Sequence, residues 1–183
     1  NAPVSEVIRE AAEPHLDRGV EIIFELNLKS KEDISQPVIQ RLPEIIHGLR
    51  NMIQNAIDFA DSKVWIILSW SQSDIKIIIN DDGPGFPVQM ISRIGDPFVS
   101  YRKTSSVRSK QIEYEGMGLG LFIAKTLLER TNAKLSFSNG ASGLVDGLGN
   151  EGQIGAVVEI SWARSDIEKK TNLSGENENL NVF

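Results

Sequence analysis

The chain has 183 residues, 40% of them apolar and 24% charged, and its 19 basic and 25 acidic side chains leave a formal charge of −6. Such a chain can bury a sizeable core and reads as one globular domain, with or without a tail. The absence of cysteine excludes disulfide staples, thiolate metal sites and a cysteine nucleophile, and the acidic balance argues against a nucleic-acid surface built on phosphate neutralisation.

No apolar run approaches the ~18 residues that span a bilayer, and no basic-then-apolar leader opens the chain. It begins Asn1-Ala2-Pro3 without methionine, so a processed chain or an excised piece of a larger protein is expected.

Val4, Val7, Ile8, Ala11 and Ala12 recur at helical spacing and predict a helix over 4–18, disturbed by Pro14 and stopped by Gly19. Val20–Leu28 reads as a strand, and a short extended piece follows around Pro37-Val38-Ile39. Leu42, Ile45, Ile46, Leu49, Met52, Ile53, Ala56, Ile57 and Ala60 form one apolar stripe, so 42–60 is an amphipathic helix. Lys63–Ser71 and Asp74–Ile79 are β-rich runs separated by Gln72-Ser73, which predicts a hairpin. Residues 86–116 have no sustained period, and a stretch of that length in a compact domain is usually functional. A helix returns over Leu119–Arg130, then strands over Ala133–Ser138 and Ala156–Trp162, joined by a Gly-rich connection. The order predicts an α+β two-layer sandwich, with a mixed, mostly antiparallel sheet of about five strands on three helices. The expected organisation is a helix over 1–19, a domain over 20–163 and a polar tail over 164–183.

Three features can carry chemistry. On helix 42–60, His47, Asn51, Asn55 and Asp58 share a polar stripe. That pattern also serves a solvated face, but asparagine is a poor helix former, and its amide oxygen is a hard ligand suited to Mg²⁺ completed by phosphate and water. The run Asp81-Asp82-Gly83-Pro84-Gly85-Phe86 at a strand end makes a tight turn; it also offers a carboxylate to a ligand amine beside glycines that let a flat ring approach. Glu115-Gly116-Met117-Gly118-Leu119-Gly120-Leu121 leads into a helix, where it reads as a hinge or as a phosphate cradle of backbone N–H groups at the positive end of the helix dipole. It is neither a P-loop, since no Lys-Ser or Lys-Thr follows, nor a dinucleotide fingerprint, since position 121 is Leu.

In this order the set resembles the N, G1, F and G2 boxes of the ATP-binding domain of sensor histidine kinases, within the gyrase/Hsp90/histidine-kinase/MutL superfamily. The likeness covers about residues 20–163 and implies a Bergerat-type fold. The run Arg41 to Asn51, with Asn55-Ala56-Ile57-Asp58-Phe59-Ala60, is further similar to the RegB/PrrB redox-responsive kinases. The resemblance implies ATP and Mg²⁺ as ligands. Asn55 then holds the metal and Asn51 makes a second polar contact. Asp81 recognises the adenine amine, Gly83 and Gly85 make room for the base, and Phe59 and Phe86 line its pocket. Phe98 falls in the F box; Gly116, Gly118 and Gly120, with Leu121 beside them, fall at the hinge of the phosphate lid; Gly155 is the last glycine box. Many relatives carry a basic residue three positions after the metal asparagine; here it is Asp58, which leaves Arg102, Lys103 and Arg108 in the lid as candidate cations.

ATPases of the superfamily place a glutamate base where this chain has Asn51. An amide takes no proton at pH 7, so phosphoryl transfer outranks hydrolysis. Neither His15 nor His47 has the surroundings of a phosphoacceptor. The resemblance therefore implies a separate histidine-bearing dimerisation domain, a response regulator as next acceptor, and a homodimeric parent in the bacterial inner membrane with this domain in the cytoplasm. An anti-sigma-type serine kinase and a non-catalytic nucleotide-binding module are the rival readings.

Overall fold

The structure, a computed structural model, describes residues 1–27, 34–94, 117–140 and 155–169. Two layers are formed. The sheet contains β2 (Glu21–Leu26), β4 (Lys63–Trp70), β5 (Asp74–Asp81), β6 (Lys134–Asn139) and β7 (Ala156–Ala163), in the order β2-β4-β5-β7-β6. Only β2 and β4 run parallel; the other pairs are antiparallel, with Ile66 opposite Ile79 and Ile77 opposite Ile160. The mixed, mostly antiparallel five-stranded sheet agrees with the expected sandwich.

One face of the sheet carries Val64, Ile66, Leu68, Ile75, Ile77, Ile79, Val158, Ile160 and Trp162, all buried. Against it lies the helical layer of α1 (Val4–Ala12), α2 (Pro43–Phe59) and α3 (Met117–Glu129). Helix α2 begins with Pro43, whose missing N–H costs nothing in the first turn. It buries Ile45, Leu49, Met52, Ile53, Ala56 and Ile57, which leaves its asparagine stripe on the far side. Helix α3 packs on α2 where Gly48 faces Leu128, close enough that a β-carbon there would lie 2.6 Å from Cγ of Leu128. Its C-terminus turns through Asn132 at φ 64°, with Ala133 N–H bonded to the Leu128 carbonyl, a left-handed helix end that asparagine tolerates.

Several boundaries differ from expectation. The first helix ends at Ala12 rather than Arg18, because Pro14 cannot donate in a continued α-helix and the chain tightens into a 3₁₀ turn, Glu13–His15. Strand β3 (Val38–Ile39) does not join the main sheet but pairs with β1 (Ala2–Pro3). Helix α1 contributes Val7, Ile8, Ala11 and Ala12 to the common core, so it is a wall of the same domain. At the other end, the chain expected to become a polar tail at Arg164 first forms α4 (Arg164–Ile167), which buries Ile167. Arg164 there binds Glu168 and the Ser71 carbonyl, and Lys169 N–H reaches the Val38 carbonyl. Among the described residues no helix is long and apolar enough to cross a membrane.

Candidate nucleotide site

Strand β5 delivers Asp81 to the end of the sheet, buried at 2% exposure. Its Oδ1 accepts the Gly83 N–H at 2.9 Å and the Ala156 N–H at 3.2 Å. Burial pushes the carboxyl up to about 6, against the opposing pull of these two amides and with help from the neighbouring Asp82 and Asp61 charges. A desolvated carboxylate at a strand end is a group poised to take a hydrogen-bond donor. Asp82 does the opposite work. Burial raises its carboxyl, yet the Lys63 and Ser62 amides and the Ser62 hydroxyl outweigh that and hold it below the usual range. It ties the β5 end to the start of β4 and is structural.

Three backbones meet at Asp81. A β-carbon on Gly83 would collide with the Phe59 carbonyl oxygen at the end of α2, and one on Gly155 would collide with the Asp81 carbonyl oxygen. Both positions therefore require glycine. The turn itself is set by Gly85, at φ +77° in the left-handed region that favours glycine. Asn139, at the end of β6, clamps it: Phe86 N–H donates to Oδ1 at 2.6 Å, and Nδ2 donates to the Phe86 carbonyl at 2.8 Å. Sequence reading does not find Asn139, because its partner lies 53 residues away; an asparagine closing a strand before Gly140 is the sole local hint. Asn139→Ala should orphan both Phe86 backbone groups and lower stability by about 2 kcal/mol. Urea denaturation checks this through a lower midpoint at an unchanged slope.

The remaining sequence candidates fall into three groups. Asn51, Asn55 and Phe59 are half-buried on α2, with Asn55 one turn before the Phe59–Gly83 junction. Phe86 and Leu121 are core residues: Phe86 is 3% exposed and meets Phe137 edge-on at 6.0 Å, while Leu121 is 2% exposed. Both belong to the common core rather than to an open surface. Asp58 is exposed and paired with Arg18 at 2.8 Å, a partner on another element that local patterning cannot reveal. Helix α3 starts at Met117, so Gly118 and Gly120 lie inside its first turn rather than before it, where N–H groups still lack helical partners. Gly120 has open space beside it. Phe98, Arg102, Lys103, Arg108 and Gly116 lie outside the described residues.

Among the described residues no cluster of three His, Cys, Asp or Glu side chains could cage a metal ion.

Residues 41–165 match the family described as histidine kinase-, DNA gyrase B- and HSP90-like ATPases. The chain is 54% identical over 161 residues to the sensor histidine kinase RegB of Cereibacter sphaeroides, covering 88% of this chain and 35% of that protein. It is 29% identical over 100 residues to the C4-dicarboxylate transport sensor protein DctB of Pseudomonas aeruginosa, over 52% of this chain and 15% of that one. The chain thus spans about a third or less of these relatives' length. The catalytic domain of histidine kinase ThkA superposes with a TM-score of 0.62 at 20% identity, covering 89% of this chain and 95% of that one.

Proposed function

Because the chain belongs to the family of histidine kinase-, DNA gyrase B- and HSP90-like ATPases, we propose that it is the ATP-binding catalytic domain of a two-component sensor histidine kinase. The observation that carries this reading is the buried Asp81 carboxylate, held by two backbone amides between glycines that admit no β-carbon. Both amides engage Oδ1; Oδ2 is assigned to the adenine amino group, the donor that distinguishes adenine from guanine at this edge. Glycine at 83 and 155 keeps side chains out of this junction. Asn55 would hold Mg²⁺, which when bound neutralises charge on the phosphates, and Asn51 would make a second polar contact. The first-turn N–H groups of α3, which have no partner within the helix, face the polyphosphate in this reading.

The transfer forms a bond between an imidazole nitrogen and the γ-phosphorus and breaks the bond from that phosphorus to the β–γ bridging oxygen, releasing ADP. Such a step requires mainly positioning and charge stabilisation. No group on α2 offers a proton acceptor for water at the Asn51 position, which disfavours hydrolysis. The acceptor is assigned to a histidine on a separate dimerisation domain. His15 supports this: it is 6% exposed, so its ring is withdrawn from a nucleotide outside the core. The 54% identity to RegB favours a histidine acceptor over the serine of an anti-sigma-type kinase. A response regulator is the onward acceptor, and the homodimeric parent is placed in the inner membrane with this domain on the cytoplasmic side.

The test supplies γ-labelled ATP and a cognate histidine-bearing domain. Acid-labile label on that domain is expected; label on His15 of this chain, or on serine, defeats the proposal. Calorimetry adds a second arm. Asn55→Ala should lower ATP affinity in Mg²⁺ by about tenfold or more, to the metal-free value, because the chain's own metal ligand is gone.

A further inference from the structure

The geometry points to Arg18, outside every sequence motif of the site, as the cation that this domain turns toward the phosphates of its nucleotide. The inference rests on the nucleotide reading above and names one binding residue within it.

Asp58 is an unexpected neighbour for a polyanion. At about 100° per residue it lies within about 20° of Asn51 and about 60° of Asn55 around α2, on the same outward stripe. It also sits in the last turn of α2, where the helix dipole already presents partial negative charge and no basic residue occurs. A triphosphate along this stripe would therefore meet a carboxylate and a negative helix end together. Arg18 removes that conflict: its Nη2 lies 2.8 Å from Asp58 Oδ1.

The backbone holds Arg18 there by construction. Helix α1 packs beside α2, the chain turns at Gly19 with φ +83°, and Glu21 N–H bonds the Ser62 carbonyl at 2.9 Å just past the end of α2. Arg18 is thus anchored on both sides at the C-terminal end of the asparagine helix. The pair engages one nitrogen of a planar fork that carries five N–H donors, and the side chain is 41% exposed. Guanidinium nitrogens beyond Nη2 can bind phosphate oxygens while Asp58 keeps the group oriented. The pair itself is solvated, and such pairs contribute little to folding, so Arg18 can be replaced without unfolding the domain.

The test measures affinities of this chain for ATP and adenosine, at fixed Mg²⁺ and low salt, in wild type, Arg18→Gln and Arg18→Lys. Arg18→Gln should weaken ATP by about tenfold and adenosine by less than about twofold, with an unchanged melting temperature. Arg18→Lys should recover only part of the loss, because a single ammonium keeps the charge but lacks the fork that reaches Asp58 and phosphate together. Equal loss for ATP and adenosine, no loss for ATP, or no recovery with lysine overturns the assignment of Arg18 alone. Failure of the wild type to bind either ligand overturns the nucleotide reading and this assignment with it.

Discussion

Asp81→Asn should lower ATP affinity by about 100-fold or more while the domain stays folded. The asparagine carbonyl can take over Oδ1 and accept the Gly83 and Ala156 amides, which keeps the turn in place. Its NH₂ group then occupies the position of Oδ2 and faces the adenine amine, donor against donor. Leaving a buried donor unpaired costs about 1–3 kcal/mol beyond the lost bond, which together correspond to a factor of this size. Calorimetric titration measures it, and a melting temperature within about 4 °C of wild type shows that the fold is intact.

The same carboxylate sets a pH dependence. Only its ionised form accepts the amine, and the free protein holds it at about 6. Affinity for ATP should therefore be flat above pH 7 and fall with decreasing pH below about 6, approaching tenfold per unit, because the protonated carboxyl must first lose its proton. An ordinary aspartate would not fall until near pH 4. Asp81→Asn removes this inflection. A titration of the wild type that stays flat down to pH 5 contradicts the assignment of Asp81 to the base.

Gly155→Ala should produce the largest loss of stability. The added carbon would overlap the Asp81 carbonyl oxygen and lie 2.5 Å from the carbonyl carbon, both backbone atoms. A flexible side chain could move aside; backbone fixed in β5 cannot do so without shifting the strand. Separating β7 from the end of β5 also stretches the Ala156–Asp81 hydrogen bond. We expect a cost of about 3 kcal/mol or more and a fall in melting temperature of about 6–12 °C. Gly120→Ala is the control. Its β-carbon would meet nothing within 4 Å, and alanine is the better helix former, so that variant should melt at or above the wild-type temperature.

How much of this was legible depends on how far apart the interacting residues lie. Helix α2 was visible because its apolar stripe is a local pattern, which predicts 42–60 against Pro43–Phe59 in the structure. The β4–β5 hairpin was visible for the same reason, as alternating β-rich runs flank a short polar link. Asp81 stood out because a carboxylate between a strand and a glycine turn is a local arrangement. By contrast, the Asn139 clamp, the Arg18–Asp58 pair and the β1–β3 ribbon each join residues distant in the chain, and no local period marks such partners. Phe86 and Leu121 show the same limit from the other side. Each sits inside a motif that binds ligand in the resemblance, yet the packing of their own side chains turns both into the core.

The sequence by itself determined the two-layer class, the polar stripe of α2 and the chemical types gathered at the site, because periodicity and residue chemistry are properties of short segments. Tertiary structure alone decided the state of those groups. Asp81 is raised toward neutrality by burial, although the Ala156 amide of a different strand pulls the other way, and Asp58 is paired with an arginine beyond another helix. Desolvation and ion pairing depend on what is near in space, and that is fixed only when the sheet and the helices close on one another.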